Sequence, residues 1–111
     1  MKNNLLILSL AILVFATCKK DKKFTPDCSG GAKSYTSDVS PIIASHCARS
    51  GCHAAGSSNG PGPLTSHSQV SAAKDRIRTA VANGSMPKDH TLSDDEKNKI
   101  ICWIDAGAQN N

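Results

Sequence analysis

Large side chains are scarce in this chain. Aromatic residues make up 4% of its 111 positions, and past residue 17 they are Phe24, Tyr35 and Trp103 alone. A single domain of this length with so few bulky apolar groups buries a modest core. It is expected to need a staple: a metal, a disulfide or a bound cofactor. No stretch alternates polar and apolar residues as a strand does, and no internal repeat is visible. No carboxylate pair in a plausible cleft, Ser-His arrangement or phosphate loop stands out, which argues against an ordinary hydrolase or nucleotide enzyme. The net charge of +4 is mild and describes no nucleic-acid surface.

Long apolar runs are also missing, with one exception. Lys2 is followed by the nearly unbroken apolar run from Leu5 to Ala16, short for a bilayer span and of the length of a signal-peptide core. Residues 1–17 are therefore expected to be an export signal. The run ends at Phe15-Ala16-Thr17-Cys18 before Lys19-Lys20-Asp21-Lys22-Lys23. That junction resembles a bacterial lipobox, in which Cys18 becomes the acylated first residue. Phe15 and Thr17 depart from the usual Leu and small residue, and cleavage near Val14-Phe15-Ala16 would instead release a free periplasmic or secreted protein. Lys19 directly after Cys18 fits outer-membrane sorting, so the expected location is the cell envelope, facing the periplasm.

Residues 18–34, rich in Lys, Gly and Ser with Pro26, read as a flexible tether. The domain proper is expected over 35–111 and all-α. A first helix is predicted from about Ser37 to His46, with Val39, Ile42, Ile43 and His46 on one face and Pro41 tolerated in its first turn. Residues 54–66 read as a loop. A second helix is predicted from about Ser68 to Ala82, with Val70, Ala73, Ile77 and Val81 inward and Gly84 as its stop. The third has the clearest start: Ser93 and Glu96 form a capping box, and Asp94 and Asp95 suit the positive end of the helix dipole. Its buried stripe is Ile100, Ile101, Trp103 and Ile104, and Gly107 ends it.

The five cysteines divide by job. Cys18 is the candidate lipid site. Cys28 and Cys102 are an even remainder that an oxidising compartment would favour bridging, worth roughly 2–5 kcal/mol from loop closure; alternatively Cys102 is a buried apolar residue and Cys28 is free. Cys47-Ala48-Arg49-Ser50-Gly51-Cys52-His53 is a C-x4-C-H segment, two residues longer than the C-x-x-C-H of covalent haem attachment. Small, flexible Ser50 and Gly51 can bulge outward, and the adjacency of Cys52 and His53 is kept. A zinc site is the competing use, completed by His46, His67 or His90, and a plain disulfide is another.

With Met1 removed, Met86 is the last methionine. It stands in the loop Asn83-Gly84-Ser85-Met86-Pro87, where a thioether serves better as an axial ligand than as core filler. Pro87 stiffens the loop. His67 and His90 are rival sixth ligands, and His46 reads as a helix-surface or packing residue.

The order from the first helix through Cys47-…-Cys52-His53, a Gly-rich loop, Gly84-Ser85-Met86-Pro87, Leu92-Ser93-…-Glu96 and a last helix ending Trp103-Ile104-Asp105-Ala106-Gly107-Ala108 resembles the small monohaem cytochrome c domain of bacterial envelope lipoproteins. The likeness covers about residues 35–110, and the departure is the longer spacing between cysteines. It implies a class I cytochrome c fold of about three helices around one haem c. It also implies Cys47 and Cys52 as the attachment sites, His53 and Met86 as the iron ligands, and Val39, Ile42, Ile43, Ile100, Trp103 and Ile104 as the crossing of first and last helices. The expected function is electron transfer to a redox partner protein, with no small-molecule substrate and no catalysis. Lys74, Arg76, Arg78, Lys97 and Lys99 would frame a basic docking face, or else form solvated helix surfaces. Two further readings remain: a haem enzyme or sensor with an open sixth site, and a non-haem zinc or disulfide lipoprotein.

Overall fold

A computed structural model describes residues 23–111. The expected export signal, the lipid site at Cys18 and the first part of the tether lie outside the described residues. Among those that are described there is no strand, and no helix is long and apolar enough to cross a membrane.

Ser34 opens the first helical segment by accepting a hydrogen bond from the Ser37 amide, while its own amide donates to Asp38. The segment begins with a wide π-helical turn, Tyr35–Val39, in which the Ser40 amide reaches back to the Tyr35 carbonyl. Pro41 follows at once. Its ring would crowd the Ser37 carbonyl in a regular α-helix, and the wider turn places that crowding at the helix entrance. α1, Ser40–His46, continues from there and buries Ile42 and Ile43.

The expected second helix is two helices, α2 (His67–Ala72) and α3 (Lys74–Asn83). Ala73 leaves helical geometry at φ −95° and ψ 6°, which ends one helix and begins the other. The domain therefore has four α-helices rather than three. Each half still buries its share of the predicted stripe: Val70 and Ala73, then Ile77 and Val81. Gly84 stops α3 in the left-handed region at φ 77°, which a residue with a Cβ adopts at a cost.

α4, Asp94–Asp105, starts at Ser93 with both reciprocal capping-box bonds formed to Glu96. It packs on the Tyr35–Val39 turn and on α3. Val39, Ile43, Ile100, Ile101 and Trp103 are the most deeply buried of the large residues, together with Val70. Past α4 the backbone folds back: Ala108 donates to the Trp103 carbonyl, and the Trp103 indole donates to Gln109 at 2.9 Å.

Of the stretch read as a tether, the described part from Lys23 to Ser34 has no helix yet is fastened to the body. Phe24 packs against the core, its amide donating to the Ala82 carbonyl and its ring lying 5.0 Å from the Lys97 ammonium. The Asp27 amide donates to Asn98, and Cys28 is disulfide-bonded to Cys102 on α4.

Candidate functional site

The Cys47–His53 segment leaves the C-terminus of α1 and turns back on itself. The His53 amide donates to the Cys47 carbonyl at 3.0 Å, and Gly51 makes the turn with φ 78°. A second loop braces it from outside. The Asn59 side-chain amide donates to the carbonyls of Gly51 and Cys52, both at 3.0 Å, and the Ser57 hydroxyl donates to Cys52. The Leu64 amide donates to the His53 carbonyl, so the peptide groups on both sides of the histidine are held.

His53 is the single buried polar side chain among the described residues, 8% exposed. Its Nδ1 lies 3.0 Å from the Gly62 carbonyl oxygen. A carbonyl only accepts, so Nδ1 carries the proton and Nε2 is left with a free lone pair. Nε2 has no hydrogen-bond partner among the described residues. An imidazole held in one tautomer by a backbone carbonyl is the arrangement of a metal-ligating histidine.

His53 and Met86 both line two adjoining cavities, with volumes of about 160 and 380 Å³. The smaller has largely apolar walls, with Leu64, Ile77, Ala80 and Val81 among them. The larger opens between the Cys47–His53 segment and the Met86–Asp89 loop. Met86 is half-buried and is held at the end of α3 by its amide, which donates to the Ala80 carbonyl. Cys47 lines both cavities and Cys52 the larger. Neither thiol is bridged, although the same chain closes Cys28 to Cys102. Burial pushes the Cys47 thiol up to about 11, against a smaller downward pull from the Arg49 charge.

No family model, curated protein or solved structure matches this chain.

The remaining histidines have other hydrogen-bond partners, and of them only His46 lines a wall of the larger cavity. His67 donates from Nε2 to the Ala108 carbonyl at 2.9 Å, and its ring meets Tyr35 and Trp103 edge-on. It therefore knits α2 to the chain beyond α4 and lines neither cavity. His46 Nδ1 lies 2.7 Å from His90 Nε2, His46 Nε2 lies 3.0 Å from Glu96, and His90 Nδ1 lies 2.7 Å from Asp89. No three His, Cys, Asp or Glu among the described residues are grouped so as to hold a metal ion. The His46–His90 contact was not foreseeable from the sequence, because 44 residues separate the pair.

Three of the five expected docking cations are in ion pairs: Arg78 with Asp105, Lys97 with Asp94, and Lys99 with Asp95. Arg76 stands at the wall of the smaller cavity beside Gly60, where a Cβ would come within 2.9 Å of its Nη2.

Proposed function

We propose that this chain is a monohaem c-type cytochrome that carries electrons in the bacterial envelope. The observation that carries the reading is the His53 ring. Its Nδ1 is committed to the Gly62 carbonyl, so Nε2 is free beside a cavity that the Met86 thioether and two unbridged thiols share. The donor set suits haem. An imidazole and a thioether are its commonest pair of axial ligands in electron carriers, and two thiols next to that imidazole are what covalent attachment requires.

Bound haem would supply a one-electron iron couple. The chain's own residues would do the rest. Gly62 fixes the tautomer and orientation of His53, and His53 and Met86 would be the two protein ligands that hold the iron, which would leave no open position for a substrate. Leu64, Ile77, Ala80 and Val81 keep water from that side of the cavity. A thioether ligand with apolar walls favours the reduced form and raises the potential. The all-α body then serves as a class I cytochrome c fold, with the Tyr35–Val39 turn against α4 as the crossing of first and last helices. Cys18, exported and acylated, would hold the domain to the outer membrane within reach of a redox partner protein.

Expression in a host with haem-maturation machinery is expected to yield a red protein heavier by one haem per chain. Its reduced spectrum should be six-coordinate and low-spin, and Met86→Ala should remove that low-spin signature while keeping the mass gain. A colourless product of unmodified mass would end the proposal.

A further inference from the structure

We propose that His46 and His90 form a shared-proton site, a pair of imidazoles that together hold three ring protons and latch the Met86–Asp89 loop to the end of α1. The argument is a count of protons. Three hydrogen bonds run in a line through the pair: Glu96 to His46 Nε2 at 3.0 Å, His46 Nδ1 to His90 Nε2 at 2.7 Å, and His90 Nδ1 to Asp89 at 2.7 Å. The two outer partners are carboxylates. Arg49 foremost, and then His90, holds the Asp89 carboxyl down at about 2, and the Ser93 amide foremost holds Glu96 below its ordinary value. Both are ionised and only accept, so His46 Nε2 and His90 Nδ1 must each donate. The inner bond needs one more proton on Nδ1 or Nε2. Two neutral imidazoles carry two protons, and the line of bonds requires three.

Without the third proton, two nitrogen lone pairs would face each other at 2.7 Å. With it, the local charges balance. The pair carries one positive charge and Arg49 another, 2.6 Å from Asp89, against the carboxylates of Asp89 and Glu96. The other charged groups nearby in the chain are Lys88 on the loop and, on α4, Asp94 and Asp95, which pair with Lys97 and Lys99, the latter also interacting with the Glu96 charge. The Cys47 thiol, on the α1 side, is held in its neutral form by burial. The rings are about one-third exposed, at 27% and 31%, so the proton can exchange with solvent.

The site joins parts that the sequence keeps apart. His46 is the last residue of α1, His90 follows the Met86 loop, and Glu96 belongs to the capping box of α4. His46, Arg49 and Asp89 line the larger cavity. Losing the shared proton removes one positive charge from that wall and opens the latch. If the cavity holds the iron proposed above, on which this consequence rests, proton loss favours the oxidised state. The potential then falls as pH rises, by at most tenfold in the redox equilibrium constant per pH unit, 59 mV for one electron.

Ring-¹⁵N NMR of the full chain, in the diamagnetic reduced state if it carries haem, tests the count. Between the acid and alkaline limits the expected intermediate has three ring protons and a nitrogen–nitrogen coupling across the hydrogen bond between the two rings. Independent titration of two rings without that coupling would overturn the site. His90→Gln and Asp89→Asn should each abolish the three-proton state. Potentiometry is the second arm: wild type should show a fall with pH that His90→Gln lacks. Equal slopes in the two proteins would overturn the redox linkage. A protein without haem would refute the electron-carrier reading alone, because the NMR count is then made on the haem-free chain.

Discussion

Replacing Cys28 with Ser and Cys102 with Ala should cost this domain most of its stability margin. The bridge closes a loop across 74 positions of sequence. Loop-closure entropy for that length makes the crosslink worth roughly 4 kcal/mol, through restriction of the unfolded chain. The packing lost with the sulfur is smaller, because Cys102 already sits among its neighbours on α4 and Ala keeps the methylene's position. A domain of this size is ordinarily stable by about 5–15 kcal/mol, so the loss is a large fraction. Each kcal/mol should lower the melting temperature by about 4–8 °C. Urea unfolding, followed by helix circular dichroism at matched haem content, gives the free energy directly. Cys28→Ser alone should lose nearly as much as the double variant, because either change removes the crosslink. A double variant within about 1 kcal/mol of wild type would show that the Phe24 contact and the Asp27–Asn98 bond already confine the segment in the unfolded ensemble, and the entropy argument would be refuted.

Trp103→Ala removes the largest fully buried side chain and should cost about 3–5 kcal/mol in the same urea assay; a loss below 1 kcal/mol would contradict its placement. Acid unfolding should separate wild type from Asp89→Asn. The folded-state depression of Asp89 to about 2 contributes stability that is present above its ordinary value of 3.8 and is lost as pH falls from there through about 2. Parallel curves for the two proteins over that window would sink the assignment. In haem-free protein Cys47 should resist alkylation by iodoacetamide at pH 8, because a thiol raised to about 11 is almost wholly protonated there. Peptide mass spectrometry showing rapid modification at Cys47 would contradict its burial.

The parts of the fold written in local sequence were the ones open to reading. Ser93 and Glu96 announce the start of α4 because both halves of a capping box lie within four residues. Gly84 marks the end of α3 because the left-handed turn there favours a residue without a Cβ. The buried stripes followed from helical spacing, and the disulfide followed from having two cysteines left over. The division at Ala73 carries no such mark. No glycine or proline stands there, and the apolar stripe runs on across it through Val70, Ala73 and Ile77. The π-helical turn before Pro41 was hidden for a related reason: Pro in a first turn fits an ordinary helix equally well. For the candidate site, Cys47, Cys52, His53 and Met86 line one cavity together. The partner of His53 Nδ1, the carbonyl of Gly62, had no signal, since any residue supplies a carbonyl. His67 was ambiguous as a rival ligand because its structural use depends on Ala108, 41 residues away.

The bond from the His53 amide to the Cys47 carbonyl separates two things that a motif treats as one. The ends of the segment are clamped together, so the backbone between them is a surface excursion whose contour does not set where the ends lie. Adding a residue beside the exposed Ser50 would change the outline of the molecule there and leave the imidazole where Gly62 holds it, whereas Arg49 and Gly51 are tied to Asp89 and to Asn59. Spacing between the cysteines is thus a property of the rim, and ring placement a property of the floor beneath it.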